Sequence, residues 1–206
     1  LTEKTIVIFT SDNGTTHKGR DPKFHIGGCD AEFFNSTAGL KGYKGSCYEG
    51  GIRIPCVVKW PGKIQPGTVS NEPTYFQDWF PTLATIGSAE VADDAKLKLD
   101  GIDMTEIFYG KAAPKRHELM IWDFHNYGGI IAIRDGKWKA LRRELLKKKV
   151  KSAWELYDLE TDKEEKNNLA GQHPEIVERL EKAWLETRTI EPDFAIPMVD
   201  GKKEIN

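Results

Sequence analysis

The first clear pattern along the chain is an unbroken apolar run, Ile6-Val7-Ile8-Phe9, entered from Thr5 and closed by Ser11-Asp12-Asn13-Gly14. A run without alternation predicts a strand buried on both faces, the kind that parallel sheets contain. Cys56-Val57-Val58-Lys59-Trp60 predicts its companion, ahead of a turn at Pro61-Gly62. Two strands make a poor sheet, because three or more are normally needed for stability. The chain is therefore expected to be a fragment that begins inside a larger α/β domain. Between the two strands, residues 14–53 form a long glycine-rich segment, and connections of that length are usually functional or disordered. Its aromatic and charged residues, among them Tyr43, Tyr48, Glu49 and Arg53, favour a folded functional loop.

Asp78 before Trp79-Phe80-Pro81 reads as a helix N-cap with proline in the first turn, and Gly87 as the C-terminal cap. Residues 88–100 read as a surface loop and 103–109 as a second short helix. From about residue 117 the periodicity changes. Ile130 to Arg134 and Lys137 to Leu141 flank Asp135-Gly136, a two-residue hairpin signal. Trp154 to Leu159 alternates as a third strand. His173-Pro174 then opens a helix with Ile176, Val177, Leu180, Ala183 and Trp184 on one face. Three antiparallel strands and an amphipathic helix predict a small α+β subdomain.

The net charge of −2 leaves no excess of Lys and Arg to neutralise phosphates, which argues against a nucleic-acid partner. The local basic cluster, Lys147-Lys148-Lys149 and Lys151 with Arg142-Arg143, reads as a solvated loop. No stretch approaches the roughly 20 apolar residues that span a bilayer, so no transmembrane segment is expected. Three cysteines, Cys29, Cys47 and Cys56, cannot form a complete disulfide framework and show no C-x-x-C spacing, so they read as buried or free thiols.

Asp12 and Asn13 follow the end of the first strand, where open α/β sheets place ligand sites. Their oxygens suit Ca²⁺ or Mg²⁺ rather than soft metals, although Asp, Asn and Gly also dominate ordinary turns. Lys44, between Gly42 and Gly45, has little bulk around it and suits contact with a sulfate or phosphate oxygen, or it is simply solvated. His125 can serve as a substrate donor or general acid–base group, or as a structural histidine at a strand end. His17 and His25 read as surface or structural residues.

Ile8-Phe9-Thr10-Ser11-Asp12-Asn13-Gly14 resembles the late metal-binding motif of the sulfatase family, in the alkaline-phosphatase superfamily. The block from Leu40 to Pro55, with Gly42-Tyr43-Lys44-Gly45 at its centre, resembles the next conserved block and runs into Trp60-Pro61-Gly62. Pro81-Thr82-Leu83, Leu99-Asp100-Gly101, Arg134-Asp135-Gly136-Lys137-Trp138-Lys139, Leu156-Tyr157-Asp158-Leu159 and Asn168-Leu169-Ala170 match further landmarks in order.

The resemblance implies an α/β fold, the C-terminal part of an alkaline-phosphatase-like sulfatase. Residues 1–115 would complete the catalytic domain, and 116–206 would be the C-terminal α+β subdomain with its antiparallel sheet and final helix. It further implies Asp12 and Asn13 as ligands of a divalent cation, usually Ca²⁺ with Mg²⁺ possible, and Lys44 as the catalytic contact to sulfate. His125 falls where some carbohydrate sulfatases place a substrate-contacting histidine. The family's formylglycine nucleophile arises in a C/S-x-P/A-x-R motif, which this chain lacks. That nucleophile is expected in a missing N-terminal part of the same polypeptide, without which the 206 residues are expected to be inactive. The implied substrate is an aryl sulfate or a sulfated carbohydrate, and the implied location is periplasmic or secreted. Asn13-Gly14-Thr15 and Asn35-Ser36-Thr37 have the form of glycosylation acceptors, but a metal-bound Asn13 cannot also carry a glycan. A phosphatase or phosphonate hydrolase of the same superfamily, and a non-catalytic module that binds sulfated ligands, remain as alternatives.

Overall fold

The computed structural model describes residues 2–16, 30–89, 99–112, 117–147 and 152–200. His17, His25, Cys29 and most of the basic cluster at 147–151 lie outside the described residues. The chain divides into two compact units, Leu1–Thr10 with Pro55–Glu118, and Ser11–Ile54 with Leu119–Asn206. Residues 11–54 thus group with residues 119–206 rather than with their neighbours in sequence.

In the first unit, β1 (Val7–Thr10) pairs antiparallel with β2 (Cys56–Lys59), with Phe9 opposite Val57. This corrects the expectation of a parallel, doubly buried strand. Val7 and Phe9 are 54% and 67% exposed, because β1 has a single neighbour and the face it shares with Val57 is uncovered among the described residues. A 3₁₀ turn at Phe76–Asp78 leads into α2 (Trp79–Ile86). Asp78 does not cap this helix, which corrects the N-cap reading. Its backbone is already helical, whereas an N-cap needs extended dihedrals. Its buried carboxylate instead accepts from the backbone N–H groups of Tyr75 (2.7 Å) and Ile102 (2.9 Å) and meets His117 Nε2 at 2.9 Å. Thr82 of α2 accepts from Met104 N–H at 2.8 Å, just before α3 (Thr105–Phe108).

The second unit is built on an antiparallel sheet in the order β3 (Met120–Phe124), β4 (Ile130–Asp135), β5 (Trp138–Arg143) and β6 (Trp154–Asp158). The edge strand β3 is one more than the sequence pattern predicts. The hairpin also sits one residue later than expected. Asp135 pairs with Trp138, so Gly136-Lys137 makes the turn, and Gly136 takes the positive φ of 55° that glycine tolerates.

Side chains alternate across this sheet, and both faces are covered. On one face Ile131, Ile133, Ala140 and Leu156 pack with Leu180 and Trp184 of α4 (Pro174–Thr187). Burying side chains of this size is worth about 1.5–3 kcal/mol each, enough to dock the helix. On the other face Ile130, Ala132, Leu141 and Tyr157 pack against Cys47 and Tyr48. The doubly buried strand is therefore β4, and the glycine-rich segment forms the second cover of the sheet.

Candidate functional site

The segment from 40 to 53 is fastened to the sheet by charge as well as by packing. It ends in a one-turn helix, α1 (Glu49–Ile52). Lys139 of β5 points at it and is completely buried, with its ammonium 2.8 Å from Glu49 Oε1 and 2.9 Å from Glu165 Oε1. Glu49 N–H also donates to Glu165 Oε2 at 2.7 Å. Burial pushes the Glu165 carboxyl above the usual carboxylate range, and the Lys139 charge opposes that shift. One ammonium thus serves two carboxylates in a dry interior.

Of the two lysines in Lys41-Gly42-Tyr43-Lys44, the structure makes Lys41 a fastening. Its Nζ donates to Tyr157 Oη at 2.9 Å and Glu165 O at 3.2 Å, and lies 4.1 Å from the centre of the Tyr48 ring. Tyr48 Oη in turn donates to Glu155 Oε2 at 2.7 Å. Lys44 is different. It is exposed, and its ammonium has no hydrogen bond or ion pair among the described residues. The flanking Gly42 and Gly45 have φ of 83° and 88°, conformations that a side chain would strain, and they turn the loop tightly around Lys44.

Two backbone hydrogen bonds bring the predicted metal segment beside this loop. Lys44 N–H donates to Thr15 O at 2.8 Å, and Gly14 N–H donates to Gly51 O at 2.9 Å. Gly14 lies against the backbone of Gly50 and Gly51, a close approach that a side chain would block. Asp12 is exposed and Asn13 half-buried, and Ser11 Oγ donates to Asn13 O at 2.8 Å, bracing the turn. The backbone bonds set the turn that carries the Asp12 carboxylate and the Asn13 amide beside the Lys44 loop, whose ammonium is unpaired among the described residues. Carboxylate and amide oxygens are hard donors and fit a hard divalent cation, but they supply only part of the six to eight oxygens that Ca²⁺ takes. Among the described residues no group of three or more His, Cys, Asp or Glu could hold a metal.

His125 follows β3, with Nδ1 at 3.3 Å from Asp123 Oδ1 and its ring edge-on to Phe194 at 5.3 Å. Its Nε2 is buried and has no hydrogen-bond partner among the described residues. It lines a cavity of ≈ 400 Å³ with Asp123, Arg188, Glu191 and Phe194. This corner adjoins the Lys44 loop: a Cβ at Gly45 would lie 2.6 Å from the Tyr127 ring, which leans on Phe124 at 6.0 Å. Arg188, Phe194 and the Lys139 cluster carry no local sequence signal, since each acts through partners distant in the chain.

A two-sided antiparallel sheet, a glycine-bound lysine loop and an adjoining Asp-Asn turn thus stand together in the second unit. Residues 43–189 match the family described as N-sulphoglucosamine sulphohydrolase, C-terminal, and the chain belongs to this sulfatase family. It is similar to mouse (Mus musculus) steryl-sulfatase, 35% identical over 143 residues, covering 68% of this chain and 22% of that protein. It is 32% identical over 206 residues to an N-acetylgalactosamine-6-O-sulfatase of Bacteroides thetaiotaomicron, covering 92% of this chain and 37% of that protein. A solved structure described under glycosaminoglycan metabolism by the same organism superposes with a TM-score of 0.66 at 32% identity, covering 91% of this chain and 40% of that one. The chain thus spans well under half the length of these relatives. Among the described residues no helix is long and apolar enough to cross a membrane.

Proposed function

We propose that this chain supplies part of the active site of an enzyme that hydrolyses sulfate esters, on an aryl group or a carbohydrate. In this reading Asp12 and Asn13 give two oxygen ligands to a divalent cation, Ca²⁺ or alternatively Mg²⁺. When bound, that cation polarises sulfate oxygens and stabilises the charge that develops on them. The Lys44 ammonium binds another sulfate oxygen and stabilises the same charge, which grows as the sulfur–oxygen bond breaks. His125 contacts the substrate through Nε2, which accepts a hydrogen bond in the neutral ring and donates one in the protonated ring. The nucleophile, a formylglycine, comes from a part of the polypeptide outside this chain. The alcohol leaves with a proton and sulfate is released with a water oxygen.

The observation that carries this reading is the pair of backbone hydrogen bonds, Lys44 to Thr15 and Gly14 to Gly51, which holds the Asp12-Asn13 turn beside the Lys44 loop. The test uses the full-length enzyme and a chromogenic aryl sulfate. Lys44→Ala should lower kcat/KM by about 10²–10³-fold, the cost of removing one preorganised charge-stabilising donor. Chelation should abolish turnover, and added Ca²⁺ should restore it. Retained activity in Lys44→Ala would remove Lys44 from the site. Turnover of phosphate esters in preference to sulfate esters, with two bound zinc ions, would replace the sulfatase reading by the phosphatase one. The proposal extends to a periplasmic or secreted enzyme, where polymeric sulfated glycans are met, and cell fractionation tests that.

A further inference from the structure

We propose that the cavity beside His125 accepts a neutral, hydroxyl-bearing sugar ring and disfavours a ring that carries a carboxylate or a second sulfate. The inference rests on the sulfatase reading only in making that ring part of the substrate; the binding chemistry is read from the cavity itself. Its ≈ 400 Å³ lies within the range of small-molecule sites. One side is the Phe194 ring, 57% exposed and edge-on to His125. An open aromatic face of this kind suits the C–H face of a pyranose.

On the polar side stand Arg188 and His125, whose buried Nε and Nε2 have no hydrogen-bond partner among the described residues. The Arg188 side chain is only 8% exposed, and its guanidinium is otherwise engaged. Nη1 pairs with Asp200, and Nη2 lies 4.0 Å from Asp123 Oδ2. Nε–H is thus a donor awaiting an acceptor in a buried setting, where leaving it unmet is costly. A sugar hydroxyl can accept from it and donate onward to a carboxylate.

Charge decides what kind of ring is welcome. Asp123, Glu191 and Asp200 set three carboxylates against one guanidinium, so no positive charge is left over for an anionic substituent. Burial already pushes the Asp123 carboxyl above the usual range, ahead of the opposing effects of His125 and Arg188, so further negative charge is unfavourable there. The cavity also stands where the remainder of a substrate belongs. Phe124 lines it and leans on Tyr127, whose ring meets Gly45, next to Lys44.

The test is binding of methyl glycosides to the full-length enzyme, followed by calorimetry and by ligand-observed NMR. A panel of neutral hexosides and N-acetylhexosaminides is compared with a methyl hexuronide. At least one neutral glycoside should bind, and the hexuronide at least tenfold more weakly. Phe194→Ala should weaken the neutral ligand at least fivefold; Phe194 is exposed, so its loss does not threaten the fold. Glu191→Gln should narrow the gap between neutral and anionic rings. Equal or tighter binding of the hexuronide, or a Phe194→Ala variant that binds as well as the parent, would overturn the proposal. So would an enzyme active on aryl sulfate that binds no neutral glycoside. Failure of the sulfatase reading would look different: no aryl sulfate turnover, with glycoside binding intact.

Discussion

Replacing Lys139 by Met should unfasten the lysine loop, and its cost can be worked from the structure. Lys139 and Glu165 side chains are both 0% exposed and Glu49 is 5% exposed, so the substitution leaves two buried carboxylates without their shared ammonium. Removing one partner of a buried ion pair costs about 3–5 kcal/mol, against a total stability of about 5–15 kcal/mol. Arg53, 3.8 Å from Glu49 Oε2 but half exposed, offsets less than about 1 kcal/mol of this. The deficit should depend on pH. The folded-state pKa of Glu165 is already raised above its ordinary 4.5, and loss of the Lys139 charge raises it further. A group raised in this way contributes stability below its unfolded value that is lost as pH rises through the folded one. The deficit of Lys139→Met should therefore be largest at pH 7 and shrink toward pH 4.5. Urea unfolding of the full-length enzyme at pH 5 and pH 7, followed by tryptophan fluorescence, measures it. Adding Glu49→Gln and Glu165→Gln to the variant should recover at least half of the loss at pH 7. A Lys139→Met protein within about 1 kcal/mol of the parent, or a deficit equal at both pH values, would refute the reasoning.

Gly50→Ala should displace the same loop by a steric route. Its Cβ would lie 2.7 Å from Lys41 O and 2.9 Å from Leu40 O, backbone atoms that cannot swing aside, so a loss of about 1–3 kcal/mol in urea unfolding is expected, with aryl sulfate turnover falling further than stability. An Ala variant as stable and active as the parent would show that the loop is looser than its packing implies. Alkaline pH should probe the same face of the sheet, where Cys47 packs beneath the loop. Burial pushes the Cys47 thiol from 9.0 up to about 11, so its contribution to stability is complete below pH 9 and lost as pH rises through about 11, roughly 3 kcal/mol in all. Cys47→Ala should make the fall in stability between pH 9 and 11 shallower, and an unchanged slope would show that the thiol titrates as it does in water.

Local pattern made much of the second unit legible. The hairpin, β6 and α4 all follow from short-range periodicity, and α4 buries Leu180 and Trp184 as its apolar face predicts. The apolar run at β1 misled, because doubly buried strands are recognised by composition, whereas burial depends on what lies beside them; the same signature in Ile130 to Ile133 was the one fulfilled. The Met120–Phe124 strand was missed because it joins the sheet only through β4 and its own residues show no clean alternation. Lys139 lies in a segment that reads as a hairpin strand, and nothing local reveals that its partner stands 90 residues upstream. For the candidate site, residue types left Asp12 and Asn13 readable as an ordinary turn, Lys44 as a solvated lysine and His125 as a structural histidine, and the order of motifs is what proposes them as site residues. Lys41 and Lys44 are alike in sequence, and only their surroundings separate an anchoring lysine from a free one.

The contact between Gly45 and Tyr127 has a bearing on how such a protein changes over generations. Tyr127 sits in a left-handed backbone conformation with φ of 52°, between His125 and a pair of glycines that also have positive φ, so this corner has few alternative shapes. Insertions or exchanges there would be felt at once by the neighbouring lysine. New preferences should therefore accumulate through the outer wall at 189–194, which can drift in shape and charge while the Lys44 loop keeps its posture.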